Sequence, residues 1–291
     1  MNDTNSAYLK KHRDILSFRD LSPHTIDIYS SCLSAFLTWM ETELPDVPVI
    51  DVSWEQIRSY FLMLRDIRHL NARTINIHIA QLSGFFRYVL HRDWDSREVP
   101  CMKVDEKLPV VPTFEEVNTI IDSFTNIKHK AMIAVLYSSG IRVSELCRLR
   151  CGDIHVSEHY IFISRSKNRS ERRAILSEKA LAILTEYVRS DLKGAARSDW
   201  LFPGQKPGTH ISTETVRKVF YDRLAALGWQ DRGFNLHSLR HAFGLHLYNN
   251  GTDIMAIKEA MGHKSLSSTT VYLTLGIGNG RSVISPYDCN P

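Results

Sequence analysis

The sequence predicts a mainly α-helical protein of two domains, with a small β-hairpin in the second domain (an α+β domain). Three observations support this fold class. Apolar residues recur at helical spacing through most of the first hundred residues. A segment at 93–112 then contains three prolines and no sustained period, which is typical of an inter-domain linker. Beyond it, helical segments lie on both sides of one pair of strand-like runs.

The N-terminal helices begin at recognisable caps. Ser22 followed by Pro23 marks one helix start, and Ser53 and Asn71 mark two more. Apolar side chains then share one helix face: Ile26, Tyr29, Leu33, Phe36, Leu37 and Met40; Ile57, Phe61 and Leu64; Ile75, Ile79, Leu82, Phe86 and Val89. Residues 1–105 are therefore predicted to form one helical domain.

The second domain is predicted to span 106–276. Thr113 and Glu116 form a capping box that restarts helical structure, and a further helix ends at Gly140. The short segment "RVSELCRLR" follows as a helix, and "HYIFIS" and "RRAIL" then form a hairpin around "RSKNRSE". Helices return from Ser177 onward. The last residues, 277–291, are rich in Gly, Ser and Asn, and they predict a flexible or partner-docking tail.

Composition favours an ordinary globular, intracellular protein. The net charge is +4, which permits a polyanionic partner without requiring one. The five cysteines are scattered and form no C-x-x-C pair, as expected of a reduced protein. The longest apolar run, "AMIAVLY", is too short to span a bilayer, and the N-terminus has no signal-peptide core. We expect a cytoplasmic location and no membrane association.

A cluster of polar residues in "NLHSLRHAFGLHLYNNG" allows three interpretations. His237 and His241 share a helix face, as zinc ligands do, but Ser238 stands where a metalloprotease has Glu, and Arg240 would repel a cation. A structural role is favoured for His241 and His246 taken singly. It suits Arg240 less well, because a buried guanidinium needs an anion.

The third interpretation is phosphodiester chemistry. A phosphodiester under attack gains charge on its non-bridging oxygens, and planar guanidiniums such as Arg142 and Arg240 match that geometry. Tyr272 would be the nucleophile, which requires a neighbouring group to remove its proton. Lys167 in the hairpin would donate a proton to the leaving 5′ oxygen.

Four segments, "SSGIRVSELCRL", "SKNRSERRAIL", "HSLRHAFGLHL" and "MGHKSLSSTTVYL", resemble the catalytic boxes of the tyrosine recombinase (phage-integrase) family in the same order. The resemblance implies catalytic roles for Arg142, Lys167, His237, Arg240, His263 and the nucleophile Tyr272. Glu145 matches an acidic position that supports the site. The basic hairpin residues Arg165, Arg169, Arg172 and Arg173 are predicted to bind DNA. Ser166 and Asn168 stand where relatives often have glycines.

The N-terminal segments are similar to the family's helical, SAM-like core-binding domain. The resemblance implies a two-domain, C-shaped DNA clamp, similar to Xer-type and mobile-element enzymes. It also implies site-specific recombination of double-stranded DNA through a 3′-phosphotyrosine, without metal, ATP or another cofactor. Protomers would form a tetramer on two sites, alone or with a related recombinase. Two alternatives stay open: a catalytically silent DNA-binding accessory factor of a mobile element, and a type IB topoisomerase.

Overall fold

The computed structural model describes residues 1–105, 107–164, 171–263 and 265–276. These residues form twelve α-helices and a three-stranded sheet. The chain divides into two compact units, Met1–Glu106 and Lys107–Pro291. The predicted tail and the hairpin connection lie outside the described residues. Within the described part of the chain, none of the helices has the length and hydropathy that a membrane span needs.

The first unit consists of four helices. They are α1 (Asp3–Phe18), α2 (Pro23–Glu43), α3 (Trp54–Asp66) and α4 (Ala72–Tyr88). The predicted caps are confirmed: the side chains of Ser22, Ser53 and Asn71 each accept a hydrogen bond from a backbone N–H of the following turn. Fully buried aromatic side chains, including Phe36 and Tyr60, fill the space between the helices. Helix α1 was not among the predicted elements.

Part of the predicted linker packs against this unit. Val99 is buried in the core of the four helices. The Asn76 side chain donates to the carbonyl of Met102 at 2.9 Å and accepts from its N–H at 2.8 Å. Periodicity does not reveal this segment, because its backbone is irregular and its anchor is a side chain 26 residues away.

The second unit contains eight helices and the sheet. The helices are α5 (Phe114–Asp122), α6 (Ile127–Ser139), α7 (Val143–Leu146), α8 (Glu178–Asp191), α9 (Thr213–Ala226), α10 (Leu236–Asn249), α11 (Ile254–Met261) and α12 (Ser267–Gly276). The strands are β1 (Ile154–His155), β2 (Tyr160–Ile163) and β3 (Arg172–Ile175). The predicted hairpin is confirmed: β2 and β3 are antiparallel, with Ile161 opposite Ala174. The short β1, which pairs with β2, was not predicted.

Helix α6 lies at the centre of this unit. Its residues from Ala131 to Leu136 are all buried, and it packs against α8 and α10. The helix ends at Gly140, as predicted, in the left-handed conformation with φ of 59°. A Cβ at this position would lie 2.2 Å from a ring atom of Phe243 on α10. This close approach of the Gly140 turn to α10 places the start of α7, and with it Arg142, next to α10.

Candidate active site

Arg142 occupies the N-cap position of α7. Its backbone N–H donates to Oε2 of Glu145 at 2.8 Å, which completes the first turn of this short helix. Its guanidinium donates to Oε1 of the same carboxylate at 3.3 Å and to the carbonyl of Gly262 at 3.5 Å. The side chain is 24% exposed, so it reaches solvent while its base is held in place.

Arg240 lies on α10 and is almost completely buried, with 3% exposure. Its guanidinium donates to the carbonyls of Gly140 and Met261. These carbonyls belong to the ends of α6 and α11, the same two turns that hold Arg142. Burial, together with the nearby charge of Arg142, lowers the pKa of Arg240 to about 9. The predicted pair of arginines is therefore brought together by backbone carbonyls of two chain turns.

Glu145 is the acidic partner of this arrangement and is 5% exposed. It accepts two hydrogen bonds from Arg172, at 3.1 and 2.8 Å. Burial alone would raise the pKa of Glu145, but the hydrogen bonds from Arg172 and from the backbone of Arg142 outweigh it and lower the pKa to about 2. The carboxylate is thus ionised at any neutral pH.

The structure places Arg172 differently from the sequence analysis. We predicted a DNA contact because Arg172 belongs to a basic run. Its side chain is only 9% exposed, however, and its guanidinium lies against the carboxylate of Glu145. Gly262 makes room for it, since a Cβ there would lie 2.8 Å from Cδ and Nε of Arg172. Arg172 thus holds the carboxylate of Glu145, which in turn holds Arg142.

His237 lies in the first turn of α10. The Asn235 side chain caps this helix by accepting hydrogen bonds from the backbone N–H groups of His237 and Ser238. The residue is exposed and lines a cleft, yet surrounding protein removes part of the water around the ring. This desolvation, with the charges of Arg240 and Arg142, lowers the pKa of His237. The imidazole is therefore neutral at pH 7 in the absence of an anion.

His263 lies two residues beyond the end of α11, after the cap residue Gly262. Burial, then Arg240 and Arg142, lowers its pKa to about 4. Its Nδ1 lies 2.8 Å from the hydroxyl of Thr269, a fully buried side chain in the first turn of α12. The ring is thereby tied to the helix that carries Tyr272.

Tyr272 is completely buried on α12. Its hydroxyl lies 3.4 Å from Nδ1 of His241. Burial raises the pKa of Tyr272 to about 12, although Arg240 opposes the change. Its ring packs on the bare backbone of Gly244, where a Cβ would lie 2.5 Å from Cζ of the tyrosine. The sequence analysis favoured a structural role for His241 and did not anticipate this contact.

The other predicted residues fall into two groups. Arg165, Lys167 and Arg169 lie outside the described residues. Arg173 is exposed on β3, with its guanidinium 4.8 Å from the centre of the Tyr160 ring. His246 bonds the hydroxyl of Tyr137 at 2.8 Å, away from the arginine pair, in agreement with the structural role favoured for it.

The metal interpretation finds no support in the described residues, which contain no group of three or more His, Cys, Asp or Glu side chains placed to hold an ion. His237 and His241 instead pack edge to face, with ring centres 4.7 Å apart.

A cleft of about 360 Å³ leads to the arginine pair. Arg142, His237 and Arg240 line it, together with Arg217 and Tyr221 of α9. Guanidiniums that line an accessible cleft attract anions, and the planar groups match the oxygens of a phosphate. The helical fold, the paired arginines and the helix-borne tyrosine agree with the resemblance to tyrosine recombinases stated from the sequence.

Comparison with known proteins identifies the family. Residues 111–276 match the phage integrase family, and residues 8–96 match the phage integrase N-terminal SAM-like domain. The chain is 33% identical, over 81% of its length and 76% of the relative's, to "Putative integrase/recombinase y4qK" of Sinorhizobium fredii. It is 28% identical to tyrosine recombinase XerD of Oceanobacillus iheyensis, over 87% and 88% of the two chains. The chain belongs to the phage integrase family.

Solved structures show the same fold. A lambda integrase fragment, solved as a dimer bound to a core site, superposes with a TM-score of 0.73 at 20% identity and covers 92% of this chain and 94% of its own. XerH recombinase, bound to a palindromic difH substrate, also gives a TM-score of 0.73 at 20% identity, covering 88% of this chain and 78% of its own. The two-domain helical fold predicted from the sequence is confirmed.

Proposed function

We propose that this chain is a site-specific DNA recombinase that cleaves one strand with Tyr272, holds it as a 3′-phosphotyrosine, and rejoins it to a partner strand. The observation that carries the proposal is the charge of the site. Within the described residues, three guanidiniums surround the single carboxylate of Glu145. A buried cluster with excess positive charge favours binding of an anion, and the scissile phosphate supplies it.

The two arginines would stabilise the pentavalent phosphorane. Arg240 is fixed by two backbone carbonyls, and Arg142 is fixed by Glu145. Because both groups are oriented before the phosphate arrives, little reorganisation is needed as charge develops on the non-bridging oxygens. Arg172 keeps Glu145 ionised and thereby keeps Arg142 in place.

The proton transfers would use a neutral histidine as the acceptor and the charged ammonium of Lys167 as the donor. The Tyr272 oxygen forms a bond to phosphorus while the bond from phosphorus to the 5′ oxygen breaks. The proton of Tyr272 passes to a histidine whose pKa lies below neutrality, which can accept it. Lys167 gives its proton to the leaving 5′ oxygen. Rejoining reverses these steps, and the covalent intermediate conserves the bond energy, so neither ATP nor a metal ion is part of the proposed reaction.

Tyr272 has to leave its buried position before it attacks. A side chain with no exposed surface cannot touch a phosphate in the cleft, and a pKa of about 12 disfavours the phenolate. We expect DNA binding to move α12, so that the hydroxyl leaves His241 and approaches Arg240. The favourable charge of Arg240 then assists loss of the proton.

The proposed substrate is double-stranded DNA carrying recombination sites, consistent with the DNA-bound structures of XerH and lambda integrase. Residues 1–105 would be the core-binding domain and 106–276 the catalytic domain, closing on DNA as a C-shaped clamp. Arg165, Arg169 and Arg173 would contact phosphates. We further propose a tetramer on two sites, alone or with a related recombinase, with 277–291 docking on a neighbour. We also propose a cytoplasmic location for this activity.

Covalent capture tests the proposal. The full chain is incubated with nicked duplexes drawn from the DNA that flanks its gene, in the presence of a metal chelator. Wild type should form a protease-sensitive adduct at a 3′ end, and Tyr272→Phe should form none while binding DNA with nearly unchanged affinity. Tyr248→Phe, on α10, is the matched control and should form adduct like wild type.

The other results have distinct meanings. Adduct formation by Tyr272→Phe would refute the assignment of the nucleophile. Specific DNA binding without any adduct from wild type would favour the accessory-factor alternative. Relaxation of supercoiled plasmids without preference for a site, and without strand exchange, would favour a type IB topoisomerase.

A further inference from the structure

Thr269 is a polar side chain with no exposed surface, three residues before Tyr272. Its hydroxyl lies 2.8 Å from Nδ1 of His263. Neither the family comparison nor the sequence analysis assigns it a role. A buried hydroxyl needs a hydrogen-bond partner, and this one is directed at a histidine that faces the arginine pair.

The contact joins two helices at the site. The backbone of His263 is fixed on α11, because Gly262 takes the left-handed conformation and the N–H of His263 donates to the carbonyl of Lys258 at 3.0 Å. The Thr269 N–H donates to the carbonyl of Leu266 at 2.7 Å in the first turn of α12. The bond between the side chains therefore couples the imidazole to the helix that carries the nucleophile.

The position of the proton follows from the partners. Among the described residues, the imidazole Nδ1 is the one hydrogen-bond partner of the Thr269 hydroxyl, so only donation to Nδ1 gives the buried hydroxyl proton a partner. A neutral imidazole carries a single N–H, and Nδ1 as acceptor leaves that hydrogen on Nε2.

We propose that Thr269 is a positioning residue that holds His263 as the Nε2–H tautomer. This proposal rests on the function proposed above, and it assigns different roles to His263 and His237. An Nε2–H group can donate a hydrogen bond to a non-bridging phosphate oxygen, but it cannot accept the proton of Tyr272. His263 is then the phosphate donor, and His237 is the residue that takes the proton from the nucleophile.

The tautomer can be measured without DNA. The full chain is labelled with ¹⁵N at histidine, and long-range ¹H–¹⁵N correlation spectra at pH 7 distinguish a protonated from an unprotonated ring nitrogen. The signals of His263 are those lost in His263→Asn. Wild type should show the hydrogen on Nε2. A hydrogen on Nδ1 would overturn the proposal whatever the variants do.

Two variants of Thr269 separate the hydroxyl from its volume. Thr269→Val keeps the shape and removes the hydroxyl, so the His263 ring should show mixed tautomers. Thr269→Ser keeps the hydroxyl and should restore the wild-type spectrum. Thr270→Val is the matched control, since the neighbouring Thr270 hydroxyl bonds the carbonyl of Ser267 outside the site. An unchanged His263 spectrum in Thr269→Val would also overturn the proposal.

Cleavage assays then test the consequence. Thr269→Val should slow single-turnover adduct formation by roughly 3- to 10-fold, the value of one neutral hydrogen bond, without weakening DNA binding. Thr269→Ser should recover the rate. If wild type forms no adduct, the proposed function fails while the spectra still decide the tautomer. If wild type reacts and Thr269→Val reacts equally fast, the positioning role of Thr269 is refuted.

Discussion

Glu145→Gln should destabilise the second unit strongly. Glu145 is nearly the same size as glutamine, so the substitution changes charge more than packing. It leaves the buried guanidinium of Arg172 facing a neutral amide, and it removes the anion that holds Arg142. Removing one partner of a buried ion pair is costly because the remaining charge has lost both water and its counter-ion.

The pKa of Glu145 indicates the size of the effect. Its ordinary value is 4.5, and the folded protein lowers it to about 2. Each tenfold change in proton affinity is worth about 1.4 kcal/mol, so ionisation of Glu145 stabilises the fold by about 3 kcal/mol. Because the folded pKa is the lower one, this stabilisation is fully present above pH 4.5 and is lost as pH falls toward 2.

The unfolding of each unit has to be followed separately, since a two-domain chain need not unfold in one step. Hydrogen exchange of peptides from α6 and α10, measured by mass spectrometry over a urea series, reports the second unit. Glu145→Gln should lower its free energy of unfolding by about 3 kcal/mol at pH 7 and by about 2 kcal/mol at pH 3.5. Glu186→Gln, an exposed position on α8, is the control. A difference under about 1 kcal/mol at pH 7 would refute the reasoning, given the cost of breaking buried pairs.

Two further predictions concern Gly244 and His12. Gly244→Ala should expel the ring of Tyr272, so tetranitromethane should nitrate Tyr272 faster than in wild type. Gly84→Ala is the control, because Gly84 has open space around it and the substitution should leave the nitration rate unchanged. Equal protection of Tyr272 in the two variants would contradict this prediction. Burial, with Arg19 nearby, lowers the pKa of His12 from 6.5 to about 4. The contribution of neutral His12 to the free energy of unfolding of the first unit should therefore be fully present above pH 6.5. It should decrease by up to about 1.4 kcal/mol per pH unit as the pH falls toward 4. His12→Leu should remove this part of the pH dependence of urea unfolding, and an unchanged slope in the first unit would show that His12 is not its source.

The sequence predicts elements that short-range contacts stabilise. The cap at Ser53 and the capping box of Thr113 with Glu116 join groups three residues apart. Residue types at this short spacing are therefore enough to predict both helix starts. The hairpin follows from strand-length apolar runs around a polar connection. Helix α1 and the two-residue strand β1 were missed because the buried residues of α1 include the polar Asn5 and His12, and because β1 is too short to show alternation.

The catalytic set was predicted as an ordered series of motifs, without its geometry. Nothing in the basic run "RSKNRSERR" distinguishes Arg172 from Arg173, because a run of like charges does not show which side chain turns inward. The partner that decides it, Glu145, lies 27 residues away. His241 likewise meets Tyr272 across 31 residues, and no local pattern encodes that contact.

The sequence by itself determined the helical two-domain class, the starts of most helices and the hairpin, because each depends on residue type at short spacing. It also predicted the arginine, histidine and tyrosine set from four ordered motifs. Only the tertiary structure decided which charges are paired, that Tyr272 is buried against Gly244, and that Thr269 holds His263. These properties depend on desolvation and on contacts between distant segments, and both exist only once the helices have packed.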